Sequence, residues 1–334
     1  MNLRNPISSG LALAVLLSAI SVQLPPAFAQ GSLTPPGVPA PTMKTLDQVE
    51  PRTPVDATHT PAAGSGEFAI TNPGSYYLTT NILGVGGKNG IEVMTNHVTI
   101  DLNGFVLLGG GVGSTGVNID AGANNVTVRN GTITGWGDGV DSAAPNTCAE
   151  HLKVINCTGD GIFTFPYATP SFIRDCLCEN DGSGAGYSAI MIAGGLISDC
   201  VVINNNGDAG ININAYGSPL AYGSLSGCLV AGNTVYGISL AASGWEVIGN
   251  SCITNRSVNI LINGSNNRIE NNHVLTTGGI AGIEVSGSGY TNNVVIHNTV
   301  IGAGANNYQN PGNNDFGPIG TAATATSPWA NISH

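Results

Sequence analysis

Along the chain the apolar positions recur in a fixed phase. A small residue is followed by two mostly aliphatic residues that flank one variable position. The instances are Gly90-Ile91-Glu92-Val93, Gly116-Val117-Asn118-Ile119, Gly139-Val140-Asp141-Ser142, Gly161-Ile162-Phe163-Thr164 and Ala189-Ile190-Met191-Ile192. They continue through Gly210-Ile211-Asn212-Ile213, Gly237-Ile238-Ser239-Leu240, Asn259-Ile260-Leu261-Ile262 and Gly282-Ile283-Glu284-Val285, with starts 21–28 residues apart. A second strand follows in each unit, as in Val294-Val295-Ile296-His297-Asn298-Thr299-Val300. Alternation with period two sends the flanking aliphatics to one side and the middle residue to the other. One such unit cannot bury its own inward residues, whereas units stacked about 4.8 Å apart pair every backbone group with the turn above and below. The phase therefore predicts an all-β, single-stranded, right-handed parallel β-helix of about nine coils. A sandwich would place hairpin turns every 8–12 residues, and no unit holds a helical period.

The rest of the chain divides around this repeat. Arg4, an apolar run over 11–22, Pro25-Pro26 and Ala27-Phe28-Ala29 have the form of an export signal over 1–29. The apolar run falls short of the roughly 20 residues a membrane span requires, so the expected address is extracellular or periplasmic. Residues 30–66 carry Pro35, Pro36, Pro39, Pro41, Pro51, Pro54 and Pro61 and read as an extended linker or arm. Within it, 43–49 has the capping pattern of one short helix. The solenoid is assigned to 67–315 and a tail to 316–334.

Composition narrows the function. The formal net charge is −11, with 9 Lys and Arg against 20 Asp and Glu. That balance excludes nucleic acid as a partner and repels long acidic polymers unless cations intervene. Seven cysteines in an exported chain leave at least one unpaired. Aligning the second strands sets Cys157, Cys176, Cys200 and Cys228 at one corner position, preceded by Gly131 and followed by Ser251, Asn272 and Asn298. Cys178 falls in line with Ile133, Val202 and Val230. Buried thiols, one or two disulfides and a metal site are the three readings of that row.

The units resemble the parallel β-helix repeats of the pectin-lyase-like superfamily, and the corners Asn130-Gly131, Asn250-Ser251, Asn271-Asn272 and His297-Asn298 resemble its inward asparagine-ladder turn. The arm from Met43 to Pro54, the entry Pro73-Gly74-Ser75-Tyr76-Tyr77-Leu78 and the coil Asp101-Leu102-Asn103-Gly104-Phe105 resemble those of a group of secreted bacterial β-helix proteins. The resemblance implies the fold and leaves the activity open. Pectate-lyase relatives carry an arginine base beside clustered calcium-binding aspartates, and polygalacturonase relatives carry Asn-Thr-Asp, Asp-Asp, Gly-His-Gly and Arg-Ile-Lys. These strings are missing here, and the nearest is Arg268-Ile269-Glu270.

Two candidate sites remain. Glu92, Asn118, Asp120 and Asp141 share the outward side of the first strands, with Asp138 and Asp160 at adjoining turns. Glu92, Asp120 and Asp141 are the candidates for a general acid and base, and Asp120, Asp138, Asp141 and Asp160 are the candidate cation ligands. No cofactor is required, and calcium is the cation such oxygens would take. The two longest units carry insertions at 164–171 and 215–224, which place Phe165, Tyr167, Tyr216 and Tyr222 near outward Phe163. Rings of this kind stack on sugars, or close over their own loops. The sequence thus points to a secreted protein that binds or scaffolds a polysaccharide or cell-surface glycan. A polysaccharide lyase or hydrolase and a structural envelope protein are the alternatives.

Overall fold

The computed structural model describes residues 50–110, 114–165, 170–215, 221–277, 281–302 and 306–334. The export signal, the arm as far as residue 49, Tyr167 and Tyr216 lie outside the described residues. What is described is a parallel β-solenoid. Each turn gives one short strand to an eleven-stranded sheet, face 1, that runs from Gly66–Ile70 to Tyr308–Gln309. It gives two more to a 22-stranded sheet, bent between the paired strands. Strands such as Arg268–Glu270 form face 2, and strands such as His273–Leu275 form face 3. The nine sequence units occupy nine of the rungs on face 1, and Gly66–Ile70 and Tyr308–Gln309 add one at each end. Pairing starts at Thr53–Pro54, inside the segment read as arm, and ends at Asn331–Ser333, inside the segment read as tail.

Alternation fills the interior. Ile91, Val117, Val140, Ile162, Ile190, Ile211, Ile238, Ile260 and Ile283 form one continuous inward row on face 1, all fully buried. Each such side chain contributes about 1.5–3 kcal/mol by leaving water. The small residue that opens each unit sits where adjacent turns approach most closely. A Cβ on Gly139 would lie 2.4 Å from the Gly161 carbonyl oxygen, and one on Gly161 would lie 2.5 Å from that of Ala189.

The corners follow one rule. Between faces 2 and 3 the chain turns on a left-handed residue, among them Asn130, His151, Asp175, Asp199, Asn271 and His297, with φ of 53–59°. Asn, Asp and His tolerate that conformation better than most residues. The next residue points inward, so its side chain must serve the backbone of its neighbours. Asn250 Oδ1 accepts the Cys228 N–H at 3.0 Å, Asn272 that of Asn250 at 2.9 Å, Asn298 that of Asn272 at 3.0 Å, and Asn331 that of Asn298 at 3.0 Å. Each Nδ2 donates to a carbonyl one turn back, as Asn272 does to Val247 at 2.8 Å. The same device recurs at the other two corners. Asn205, Asn233 and Asn255 build it between faces 3 and 1, and Asn267, Asn293 and Asn314 between faces 1 and 2. The sequence reading found one ladder where there are three.

The cysteines are divided accordingly. Cys176, Cys200 and Cys228 stack in register, with Leu152 before them and Asn250 after. Cys157 does not belong to this row. It lies three residues past Val154, beyond the face 3 strand, in the next corner beneath Asp181. Ser251 is also one residue out of phase, because the left-handed residue of its turn is Gly249 and the inward one Asn250. Cys178 does align with Ile133, Val202 and Val230, and Cys252 joins them. All seven thiols are free, with Cys148 alone half-exposed. The stacked Sγ atoms bond to backbone, Cys200 donating to Ser198 O at 3.3 Å and Cys228 to Ser226 O at 3.4 Å.

Replacing Asn272 with Ala strands the Asn250 N–H and the Val247 carbonyl together, and should lower unfolding stability by about 2–4 kcal/mol in a denaturant titration. Cys200→Ala removes only weak thiol contacts and should cost about 1 kcal/mol. Thiol titration should find one rapidly reacting group, Cys148, in the native protein. Denatured without reductant, the protein should show seven, and a lower count would mean disulfides.

Candidate functional site

The outward row of face 1 is in the register the sequence implies, running Glu92, Asn118, Asp141, Phe163, Met191, Asn212, Ser239, Leu261 and Glu284 on successive rungs. It is less open than a row of outward positions suggests. Glu92, Met191, Ser239 and Leu261 are all less than 9% exposed. Leu261 is covered by a small cluster of Val258, Ala281 and the ring of Tyr236. Glu92 is enclosed by amides, accepting from Asn89 Nδ2 at 2.8 Å and from Asn118 Nδ2 at 3.1 Å.

Two groups of carboxylates result. In the first, Asn118 Nδ2 also reaches Asp120 Oδ1 at 3.1 Å, so one amide bridges Glu92 and Asp120. Burial raises the Glu92 pKa and the neighbouring Asp120 raises it further, against the pull of the Asn89 amide. In the second, burial and then the Asp138 charge push Asp141 up to about 6. Asp141 stands two rungs from Glu92, or about 9–10 Å. Asp138 and Asp160 are occupied as caps. Asp138 Oδ1 accepts the Asp160 N–H at 2.8 Å, and Asp160 Oδ1 accepts the Ser188 N–H at 2.6 Å. Burial raises both, and carries Asp160 to about 7 with the charges of Asp138 and Asp141 adding. Among the described residues no three His, Cys, Asp or Glu side chains gather as metal ligands.

A further carboxylate escaped the sequence reading. Asp181 occupies a rung of the ladder between faces 3 and 1, accepting the Cys157 N–H at 2.8 Å while its own N–H donates to Asn205 Oδ1 at 2.9 Å. Its Oδ2 is buried without a partner, where an asparagine would present a donor. Burial pushes its pKa up to about 8. The 24-residue step from Asp181 to Asn205 was the signal available for it.

Of the aromatic candidates, Phe163, Phe165 and Tyr222 are among the described residues. Phe163 and Phe165 stack on each other, centroids 5.8 Å apart and planes within 5°. Tyr222, 54% exposed, stands at the corner between faces 1 and 2. There it lines a cleft of about 490 Å³ with Ser243, Asn263, Ser265 and Tyr290. Tyr222 also lines a second cleft of about 440 Å³ over face 2, with Phe172, Leu196 and Glu246. Asn263 is shared in turn with a third of about 310 Å³ on face 1, beside Tyr236, Leu261 and Glu284. Tyr222 thus joins the first cleft to the second, and Asn263 the first to the third, along a groove line across the corner. Its floor is ordered by the turns, since Ser243 Oγ accepts the Ser265 N–H at 3.1 Å and Ser265 Oγ the Thr291 N–H at 3.0 Å. Asn263 Oδ1 is buried beneath that lining without a partner. Tyr222, Asn263 and Tyr290 come from successive or near-successive turns far apart in sequence, which is why only Tyr222 was singled out beforehand.

No family model matches the chain, and no curated protein matches it. Among solved structures it is similar to the Dettilon tailspike protein gp208, at 15% identity and a TM-score of 0.48 over 80% of this chain, which spans 60% of the tailspike's length. It is also similar to the alginate lyase from Paenibacillus sp. str. FPU-7, at 11% identity and a TM-score of 0.43, covering 79% of this chain and 92% of the lyase. A third is the A-module of the Azotobacter vinelandii mannuronan C-5 epimerase AlgE6, at 13% identity and a TM-score of 0.37, covering 78% and 91%. These likenesses assign no activity to the chain.

The raised carboxylates make stability depend on pH. Asp141, Asp160 and Asp181 titrate near 6, 7 and 8 in the fold, against 3.8 as their reference. Between those limits the folded chain holds protons that the unfolded chain has released, so this contribution is full below pH 4 and is lost as pH rises toward 8. Asp181→Asn supplies the missing donor without a charge. It should raise stability at pH 8 by about 3 kcal/mol and flatten the profile above pH 5 in thermal melts. An unchanged pH profile would remove Asp181 as a source of the effect.

Proposed function

We propose that the protein binds an extended polysaccharide, uncharged or amine-bearing, in the groove over the corner between faces 1 and 2, and does so outside the cytoplasm. The observation that carries this is the lining shared through Tyr222 and Asn263: two tyrosine rings, an asparagine side chain and ordered serines. Sugar rings stack their apolar faces on aromatic rings and bond their hydroxyls to just such groups. Glu246 and Glu284 stand in the outer clefts. Together with a net charge of −11, they favour neutral or amine-bearing chains over polyuronates. Titration of β-glucan, xylan and chitosan oligosaccharides against intrinsic fluorescence tests the reading, with polygalacturonate as the acidic control. Binding to at least one of the first three should weaken about tenfold in Tyr222→Ala/Tyr290→Ala. Equal affinity in both proteins, or no binding to any of the glycans, would sink it.

Glycoside hydrolysis is a second reading, favoured by one feature. Asp141, raised to about 6, lies two rungs from the Glu92–Asp120 pair, near the separation of the carboxyls in inverting enzymes, roughly 6.5–9.5 Å. In that reading Asp141 is the acid and the Glu92–Asp120 pair the base. New reducing ends from a bound glycan, lost in Asp141→Asn with binding intact, would establish it. Their absence from wild-type digests leaves binding alone.

A further inference from the structure

The three outer faces differ sharply in chemistry. Face 2 carries an alternating charged row of Asp101, Arg129, Glu150 and Arg174 on successive rungs, tied by ion pairs. Face 1 mixes acids, amides and apolar groups. Face 3 is aliphatic along one row and at the centre of the other. One of its two outward rows reads Leu83, Leu108, Thr134, Ile155, Glu179, Ile203, Ala231, Ile253, Leu275 and Ile301. The other holds Leu177, Val201 and Leu229 in register at its centre, with Thr132 and Lys153 before them and Ser251, His273 and Thr299 after. These side chains are half-buried or exposed, Leu83 at 66%, Leu108 at 43% and Leu229 at 36%. Alternation explains the placement, since Val202 and Val230 between them are the inward residues.

We infer that face 3 is the contact surface for a second copy of this chain, packed sheet against sheet. Three features select that occupant. The first is area. The eight rungs that a two-fold axis between the Lys153 and Glu179 rungs sets face to face, at about 4.8 Å and a width of about 15 Å, give roughly 500 Å² per copy and about 1,000 Å² in total, the lower bound for a biological interface. The second is side-chain type. The first row is aliphatic or β-branched apart from Glu179, and the second is aliphatic at its centre, which suits an identical sheet at about 10 Å and offers a sugar no Trp, Tyr or Phe ring. The third is charge. In a chain of net −11, copies repel over most of their surface. The two outward rows of face 3, however, carry one full charge of each sign among their described residues, Lys153 and Glu179 on adjacent rungs. A two-fold axis between those rungs sets Lys153 of each copy against Glu179 of the other while most of the aliphatic rows overlap. The glycan groove lies on the corner opposite face 3, so the dimer leaves both grooves open.

Sedimentation equilibrium on the full chain from about 1 to 100 μM tests the inference, with circular dichroism confirming the fold of every variant. Wild type should sediment as a dimer at the upper concentrations. Ile203→Lys/Ile253→Lys should be monomeric throughout. Because that variant places charge on half-buried positions, a second pair keeps the test decisive. Lys153→Glu should weaken dimerisation about tenfold, and Lys153→Glu/Glu179→Lys should restore it. A wild-type monomer at 100 μM would overturn the inference, as would failure of the charge swap to restore the dimer. So would flotation of wild type with phosphatidylcholine vesicles, lost in Ile203→Lys/Ile253→Lys, since face 3 would then meet lipid.

Discussion

The demand that shapes this molecule falls on the backbone N–H groups at its corners. Within a strand, each amide finds a carbonyl one turn away without help from the side chains. At a corner the chain reverses through a left-handed residue and the ladder loses phase, leaving amides that face the dry interior. An unsatisfied buried donor costs about 1–3 kcal/mol, and every turn has three corners. Asparagine meets the demand from inside, because its oxygen accepts from one turn and its nitrogen donates to another. Turn spacing, cross-section and the direction of every outward side chain follow from keeping those contacts in register.

The ladders are not uniform, and their variation divides the solenoid. Later turns draw on asparagine, with Asn250, Asn255 and Asn267 at three successive corners, while earlier ones use Leu152, the thiols, Trp136 and Gly131. The tryptophans reach the same end by another route. Trp136 Nε1 donates to Leu107 O at 3.0 Å and Trp245 Nε1 to Ala221 O at 2.7 Å, each filling a corner and satisfying a carbonyl one turn away. Asp181 stands at the boundary between the two styles in its corner, with Cys157 on one side and Asn205 on the other. A carboxyl there has the shape of asparagine and lacks its donor unless it holds a proton. The fold therefore couples that stack to the protonation of one group.

Stacking also decides where recognition can occur. Short strands leave few outward side chains per turn, so no single turn can build a pocket. The corner between faces 1 and 2 concentrates residues from several turns, and its hydroxyls and amides are held by the bonds that close the turns. The flat faces serve differently: face 2 is laced by ion pairs, face 1 encloses its acids, and face 3 presents aliphatic side chains.

The sequence by itself determined the fold, its phase and the inward rows, because period-two alternation and a recurring small residue are local signals that stacking cannot reverse. It also placed Glu92, Asn118, Asp141 and Phe163 on one outward row, since rung follows rung by the same count. What it left undecided depended on contacts between turns. Cys157 was set in the wrong corner, because two corners follow each other within a few residues and both admit a small apolar side chain. Glu92 was placed on the outward side, although the amides of Asn89 and Asn118 enclose it. Tyr222 was found as a ring in a long insertion, but Tyr290 and Asn263 become its neighbours only through turns of 22–28 residues stacked at a distance no local pattern records. Burial, and with it the raised carboxylates and the groove, was decided by the tertiary structure, because it is a property of the space between turns.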